Sequence, residues 1–142
     1  VNSELEYLTA NATPVQNAGA VDGLPLDTVA VLVALLDDSV AEALLRLPRL
    51  RALVHRGNSS ITDAGLQHLE TLSTTLEALD LEWSSAITGR GLRSVAKLRN
   101  LRWLDLSFCP AITREEVRDL QRALPDCEVE FGEPSTIGKP VD

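Results

Sequence analysis

Aliphatic residues recur along this chain at two alternating spacings. Leu50, Leu53 and His55 open one block, Leu76, Leu79 and Leu81 a second, and Leu101, Leu104 and Leu106 a third. The step of two between the last pair in each block is the alternation of a strand that turns those side chains into a core. Eleven residues after each first leucine stands Ile-Thr: Ile61-Thr62, Ile87-Thr88 and Ile112-Thr113. The isoleucine suits an interior position. The threonine is a good helix N-cap, because its hydroxyl accepts a bond from an otherwise unpaired backbone N–H. Thr113 and Glu116 have capping-box spacing. Apolar residues then follow at helical intervals: Leu66, Leu69 and Leu72; Leu92, Val95 and Leu98; Val117, Leu120 and Leu124. Blocks that begin 26 and then 25 residues apart predict stacked strand-plus-helix repeats with equivalent positions in columns.

A weaker copy precedes these blocks. Leu36-Asp37-Asp38 aligns with Ile61-Thr62-Asp63, Ala41, Leu44 and Leu47 supply a helical stripe, and Val29, Val31 and Val33 alternate as its strand. After Leu124-Pro125, Cys127, Val129 and Phe131 alternate with Glu128 and Glu130, as in an edge strand whose outward charges discourage pairing with another chain. At the start, Ser3 and Glu6 have capping-box spacing ahead of Leu5 and Leu8, predicting a short helix that Pro14 stops. The segment from Pro14 to Pro25 reads as loop. The expected organisation is a cap helix and loop at 1–28, repeats at 29–131 and a flexible tail at 132–142.

Leu101-Arg102-Trp103-Leu104-Asp105-Leu106-Ser107-Phe108-Cys109-Pro110-Ala111-Ile112-Thr113 resembles the cysteine-containing subtype of leucine-rich repeat. Leu76 to Thr88 follows the same pattern with Ser84 in the cysteine place, and Leu50 to Thr62 follows it with Asn58 there. The resemblance covers roughly residues 29 to 131. It implies an α/β fold: a right-handed solenoid of about four coils, with a parallel sheet on the concave side and helices on the convex side. It also implies macromolecular recognition, as in the repeat halves of F-box ubiquitin-ligase receptors and in short bacterial repeat proteins. Residues 1–28 hold no F-box-like segment. Asn58, Ser84 and Cys109 are expected at an inward turn position, where polar side chains satisfy loop backbone.

In that register the third, fifth and seventh positions of each block face outward from the sheet. The third are Ala52, Ala78 and Trp103, the fifth Val54, Asp80 and Asp105, and the seventh Arg56, Glu82 and Ser107. The eighth, Gly57, Trp83 and Phe108, falls at the rim. Trp83, Trp103 and Phe108 are three of the chain's aromatics, which number two Trp, two Phe and one Tyr, and all collect on this surface. Aromatic side chains bury large area at low entropic cost, which makes them good interface anchors. The expected protein-binding set is therefore Arg56, Asp80, Glu82, Trp83, Trp103, Asp105 and Phe108. His55 takes a place that is leucine in the next two blocks, and is expected as a buried neutral histidine bonded to backbone or to Asn58.

Net charge narrows the partner. At −8, with 21 acidic against 13 basic residues, the chain repels phosphate backbones and anionic membrane surfaces. We expect a protein partner, no nucleic acid, no membrane, and a monomer or weak homodimer. No apolar run nears the roughly 18–20 residues that span a bilayer. The chain opens at Val1 and holds no methionine, which suggests a processed or trimmed chain. Cys109 and Cys127 fall at opposite ends of neighbouring strands, too far apart to pair, so two buried free thiols and a cytoplasmic setting are expected.

Catalytic readings find little support. Two histidines and two cysteines lack zinc-ligand spacing. Gly89-Arg90-Gly91 is too short for a phosphate loop. Asp37-Asp38 and Glu115-Glu116 read as helix-start charges. The expectation is a non-catalytic interaction module without cofactor or metal. Two alternatives are an acidic inhibitor or immunity-type protein that blocks a basic site, and a structural assembly subunit.

Overall fold

A computed structural model describes residues 3–57 and 59–132. It consists of alternating β and α elements around one all-parallel sheet of six strands, ordered as in the sequence, β1 to β6. The strands are β1 Thr13–Val15, β2 Ala30–Val33, β3 Ala52–His55, β4 Ala78–Asp80, β5 Trp103–Asp105 and β6 Glu128–Glu130. The helices are α1 Ser3–Ala10, α2 Ala18–Asp22, α3 Asp38–Ala43, α4 Asp63–Leu69, α5 Gly89–Val95 and α6 Arg114–Ala123.

Periodicity becomes register directly. Leu53 pairs with Leu79, and Leu79 with Leu104, in a single fully buried row. Leu50, Leu76 and Leu101 are buried with them, as are Ile61, Ile87 and Ile112. These side chains and the inward faces of α2–α6 form one core, which each buried leucine or isoleucine stabilises by roughly 1.5–3 kcal/mol. Thr62, Thr88 and Thr113 are N-caps, and Thr113 with Glu116 completes the capping box.

Four expectations need correction. The stretch read as loop after Pro14 contains β1 and α2. Proline is tolerated there because β1 is an edge strand with one neighbour, and Asn17 caps α2 by accepting from Ala20 N–H at 3.0 Å. Val29 lies outside its strand and is 37% exposed. Ser3 is already within α1 and does not cap it. In the first block the inward turn position belongs to Ser59, which bridges Leu36 on one side and Ser84 on the other; Asn58 lies outside the described residues. Ser84 donates its hydroxyl to Ser59 Oγ at 2.8 Å, and Cys109 follows in the next unit with its thiol 3.1 Å from Leu81 O. The extra residue of the 26-residue spacing lies after the helix, because Leu72 and Leu76 stand four apart where Leu98 and Leu101 stand three apart. The proposed tail from 133 onward is also outside the described residues.

Asp38 and Asp63 do more than open helices. Thr62 donates its N–H and hydroxyl to Asp38 (2.8 and 2.6 Å), and Thr88 does the same to Asp63 (2.8 and 2.6 Å). Each carboxylate thus bolts one unit to the N-cap of the next. In α6 the acid comes from within: Thr113 donates both groups to its own Glu116.

Candidate functional site

The sheet has two unequal faces. One carries the main core. Across the other lies α1, whose Leu5 and Leu8 pack on the column Ala30, Ala52 and Ala78, with Ala12 and Trp103 at the margin. Alanine at the third position leaves room for a helix there. The expected open surface is consequently half occupied: Ala52 and Ala78 are fully covered, and Val54, Asp80 and Asp105 are buried as well. Arg51 fastens α1 by donating to Glu4 at 2.7 Å and to Glu77 of the neighbouring unit, and these two acids push its already high pKa further up. Trp103 is half-buried beside a cavity of about 260 Å³, lined by Leu5, Glu6, Thr9, Ala78, Trp103 and Glu130.

The rim beyond the strands stays open. Gly57, Trp83 and Phe108 hold equivalent turn positions, and all three have left-handed backbone, with φ of 79°, 63° and 60°. Glycine adopts that state freely, whereas a side chain costs roughly 1–2 kcal/mol there. Trp83 and Phe108 are locked in place by backbone bonds from Trp83 N–H to Ser107 O (3.0 Å) and from Phe108 N–H to Gly132 O (2.6 Å). Their rings stack with centroids 4.3 Å apart and planes 18° from parallel, and Trp83 remains 47% exposed. Such a stack adds about 0.5–1.5 kcal/mol beyond area burial, which offsets part of the backbone cost.

Acid sits at the ends of β4 and β5. Asp80 Oδ1 accepts from Glu82 N–H at 2.9 Å and Asp105 Oδ1 from Ser107 N–H at 2.8 Å, so each aspartate braces the turn after its strand. Carboxylate oxygens of Asp80, Glu82 and Asp105 lie within 4.8 Å of one another. Burial pushes the Asp80 carboxyl up, opposed by the Glu82 N–H and by His55. Glu82 is pushed up by burial and then by the charges of Asp105 and Asp80. His55 ends β3 with its side chain 2% exposed and Nε2 3.5 Å from Asp80 Oδ1. Neither ring nitrogen has a hydrogen-bond partner among the described residues, so the expected backbone bond is absent.

The structure therefore brings Asp80, Glu82 and Asp105 together next to His55, and stacks Trp83 on Phe108 directly after them. Trp103 lies apart, under the lip of α1, and Arg56 is exposed at the end of β3 and outside the acidic group. Cys109 and Cys127 are buried free thiols, as expected. Among the described residues no helix is long and apolar enough to cross a membrane. No protein-family model matches the chain.

Proposed function

We propose that the chain is a leucine-rich-repeat solenoid that binds a partner protein through the rim formed by Trp83, Phe108 and the adjoining acids. The observation that carries this reading is the pair of bulky aromatics held in left-handed backbone, stacked, with Trp83 open to solvent. Strain retained at an exposed position is a mark of functional sites, and an aromatic framed by charge is a common interface anchor. The repeat pattern and the single sheet with its columns support the solenoid. Covering of the sheet face by α1 moves the proposed contact from the sheet itself to its rim, with Trp103 reachable only along the edge of α1. Arg56 completes the rim at its far end.

Glycine is the informative replacement, because it removes the anchor and the strain together. Trp83→Gly and Phe108→Gly are expected to remain folded while losing partners that the intact chain enriches in affinity capture from its native source. Trp83→Ala is expected to be less stable than Trp83→Gly by about 1 kcal/mol in urea unfolding, because alanine keeps the left-handed penalty. An unchanged set of enriched partners in both glycine variants would remove the rim from the proposal.

A second reading is an acidic inhibitor that occupies a basic site, supported by the charge of −8 and the acids grouped at the rim. Association would then be steered by charge, with an on-rate that falls steeply with salt. A flat salt response favours the aromatic anchor.

A further inference from the structure

The face of the sheet opposite the main core is only partly roofed. Its third-position column runs through Ala30, Ala52, Ala78, Trp103 and Glu128, from β2 to β6. The helix α1 rests on the three alanines. Beyond them the column changes to a half-buried tryptophan and then an exposed glutamate, with Glu130 exposed at the end of β6. Between α1 and this open part lies the cavity of about 260 Å³, walled by Leu5, Ala78 and Trp103 and lipped by Glu6, Thr9 and Glu130. That volume falls below the roughly 300–1,000 Å³ of sites that take drug-sized ligands, so it suits one long side chain.

The lining of this cavity selects a cation with an apolar stem. Glu6 and Glu130 are exposed, and neither side chain is paired with a cation among the described residues. Their charge borders apolar walls of low dielectric, which concentrate its field. Tryptophan is the side chain whose ring attracts cations most strongly. The Thr9 hydroxyl donates to Glu6 O at 3.1 Å, which leaves its oxygen free to accept. We propose that the cavity between α1 and β5 receives an arginine side chain of a partner protein, stacked on Trp103, with Glu6 and Glu130 accepting its N–H groups. A guanidinium fits better than an ammonium, because it is planar, stacks on aromatic faces, donates from a rigid fork and is more weakly hydrated. Its methylene stem covers Leu5 and Ala78. The net charge of −8 draws a basic segment towards the site. This cavity is separate from Trp83 and Phe108, and the inference does not rest on the rim.

Trp83→Phe in the full chain leaves Trp103 as the single tryptophan, a reporter inside the site. Nα-acetylarginine amide, added at millimolar concentrations, should change its emission along a saturating curve. The citrulline analogue has nearly the same shape without the charge, and should leave the emission unchanged. Free arginine should bind no more tightly than the blocked form, since no basic residue lines the cavity to meet its α-carboxylate. Glu6→Gln and Glu130→Gln alter exposed residues, so circular dichroism should stay native while each weakens binding about threefold. Glu42→Gln with Glu115→Gln makes the same charge change on α3 and α6, away from the cavity, and should leave binding unaltered. The proposal is overturned by a response that does not saturate, by an equal response to the citrulline analogue, or by tighter binding of free arginine. It is equally overturned by affinity that is unchanged in Glu6→Gln and Glu130→Gln, or that falls as far in the charge-matched pair.

Discussion

Gly65 and Gly91 owe their identity to a carboxylate from the preceding unit. A Cβ on Gly65 would stand 2.2 Å from Asp38 Oδ1, and one on Gly91 2.3 Å from Asp63 Oδ1, so the aspartate bolts require the glycines. Gly91→Ala is therefore expected to cost about 1–3 kcal/mol in denaturant unfolding. Asp63→Ala removes the bond to Thr88 but also the nearer obstacle, leaving Leu66 Cδ1 at 2.8 Å, the far end of a flexible side chain. The double variant Asp63→Ala/Gly91→Ala should be clearly less damaging than the sum of the two single changes, a coupling that a double-mutant cycle measures. Thiol chemistry is also set residue by residue. Burial pushes Cys109 and Cys127 up to about 11, from an ordinary 9.0. Both thiols are raised in the folded state, so the stability gained by keeping them neutral is complete below pH 9 and is lost as pH climbs through about 11. Thiolate absorbance near 240 nm should accordingly rise with a midpoint near 11 in the native chain and near 9 in urea. A native midpoint near the lower value would show that the thiols are open to water.

At the scale of elements, the repeats were legible and the placement of α1 was not. Leucine columns, Ile-Thr starts and helical stripes appear in the sequence because each unit solves the same packing problem with the same residue types. The first helix is visible too, from Leu5 and Leu8. Its docking site depends on a tertiary choice that periodicity does not encode, although Ala30, Ala52 and Ala78 in one column carry a signal: a row of alanines on a sheet face leaves space for something to lie there. The strand β1 was hidden by its proline, which is tolerable only at an edge. The aspartate bolts were hidden because an acid at a helix start already has a sufficient local explanation in the dipole. The candidate site was legible as a surface, while the grouping of Asp80 and Glu82 with Asp105, and the approach of His55 to Asp80, needed coordinates, since those residues are spread over three units. Seating of α1 can be tested with Leu5→Asp in a Trp83→Phe background, where Trp103 is the remaining tryptophan. Its emission should shift to the red as α1 leaves the sheet, while far-ultraviolet circular dichroism keeps most of the native signal. An unshifted emission would mean that α1 does not shield Trp103.

Considered as a whole, the molecule is a sheet with two edges, and each is blunted differently. β1 presents Pro14, which lacks an N–H to offer a neighbour. β6 presents Glu128 and Glu130, both exposed. A net charge of −8 adds repulsion between copies. Replacing Glu128 and Glu130 with valine removes the local guard and raises strand propensity together. That variant should associate with rising concentration in sedimentation velocity under conditions where the parent chain does not, and a monomeric variant would show that the edge is protected by something other than those charges.

The position of α1 has a consequence for how the chain comes into being. This helix is made before the floor beneath it, which is laid by β2, β3 and β4 and ends with Ala78. A chain emerging from the ribosome at about 5–20 residues per second must hold Leu5 and Leu8 uncovered for several seconds until that floor exists. Arg51 then closes the arrangement by joining Glu4 to Glu77, a contact between an earlier-made and a later-made part of the polypeptide. Birth order and assembly order run in opposite directions at this one face, and the uncovered apolar side of α1 is where a chaperone would find its grip.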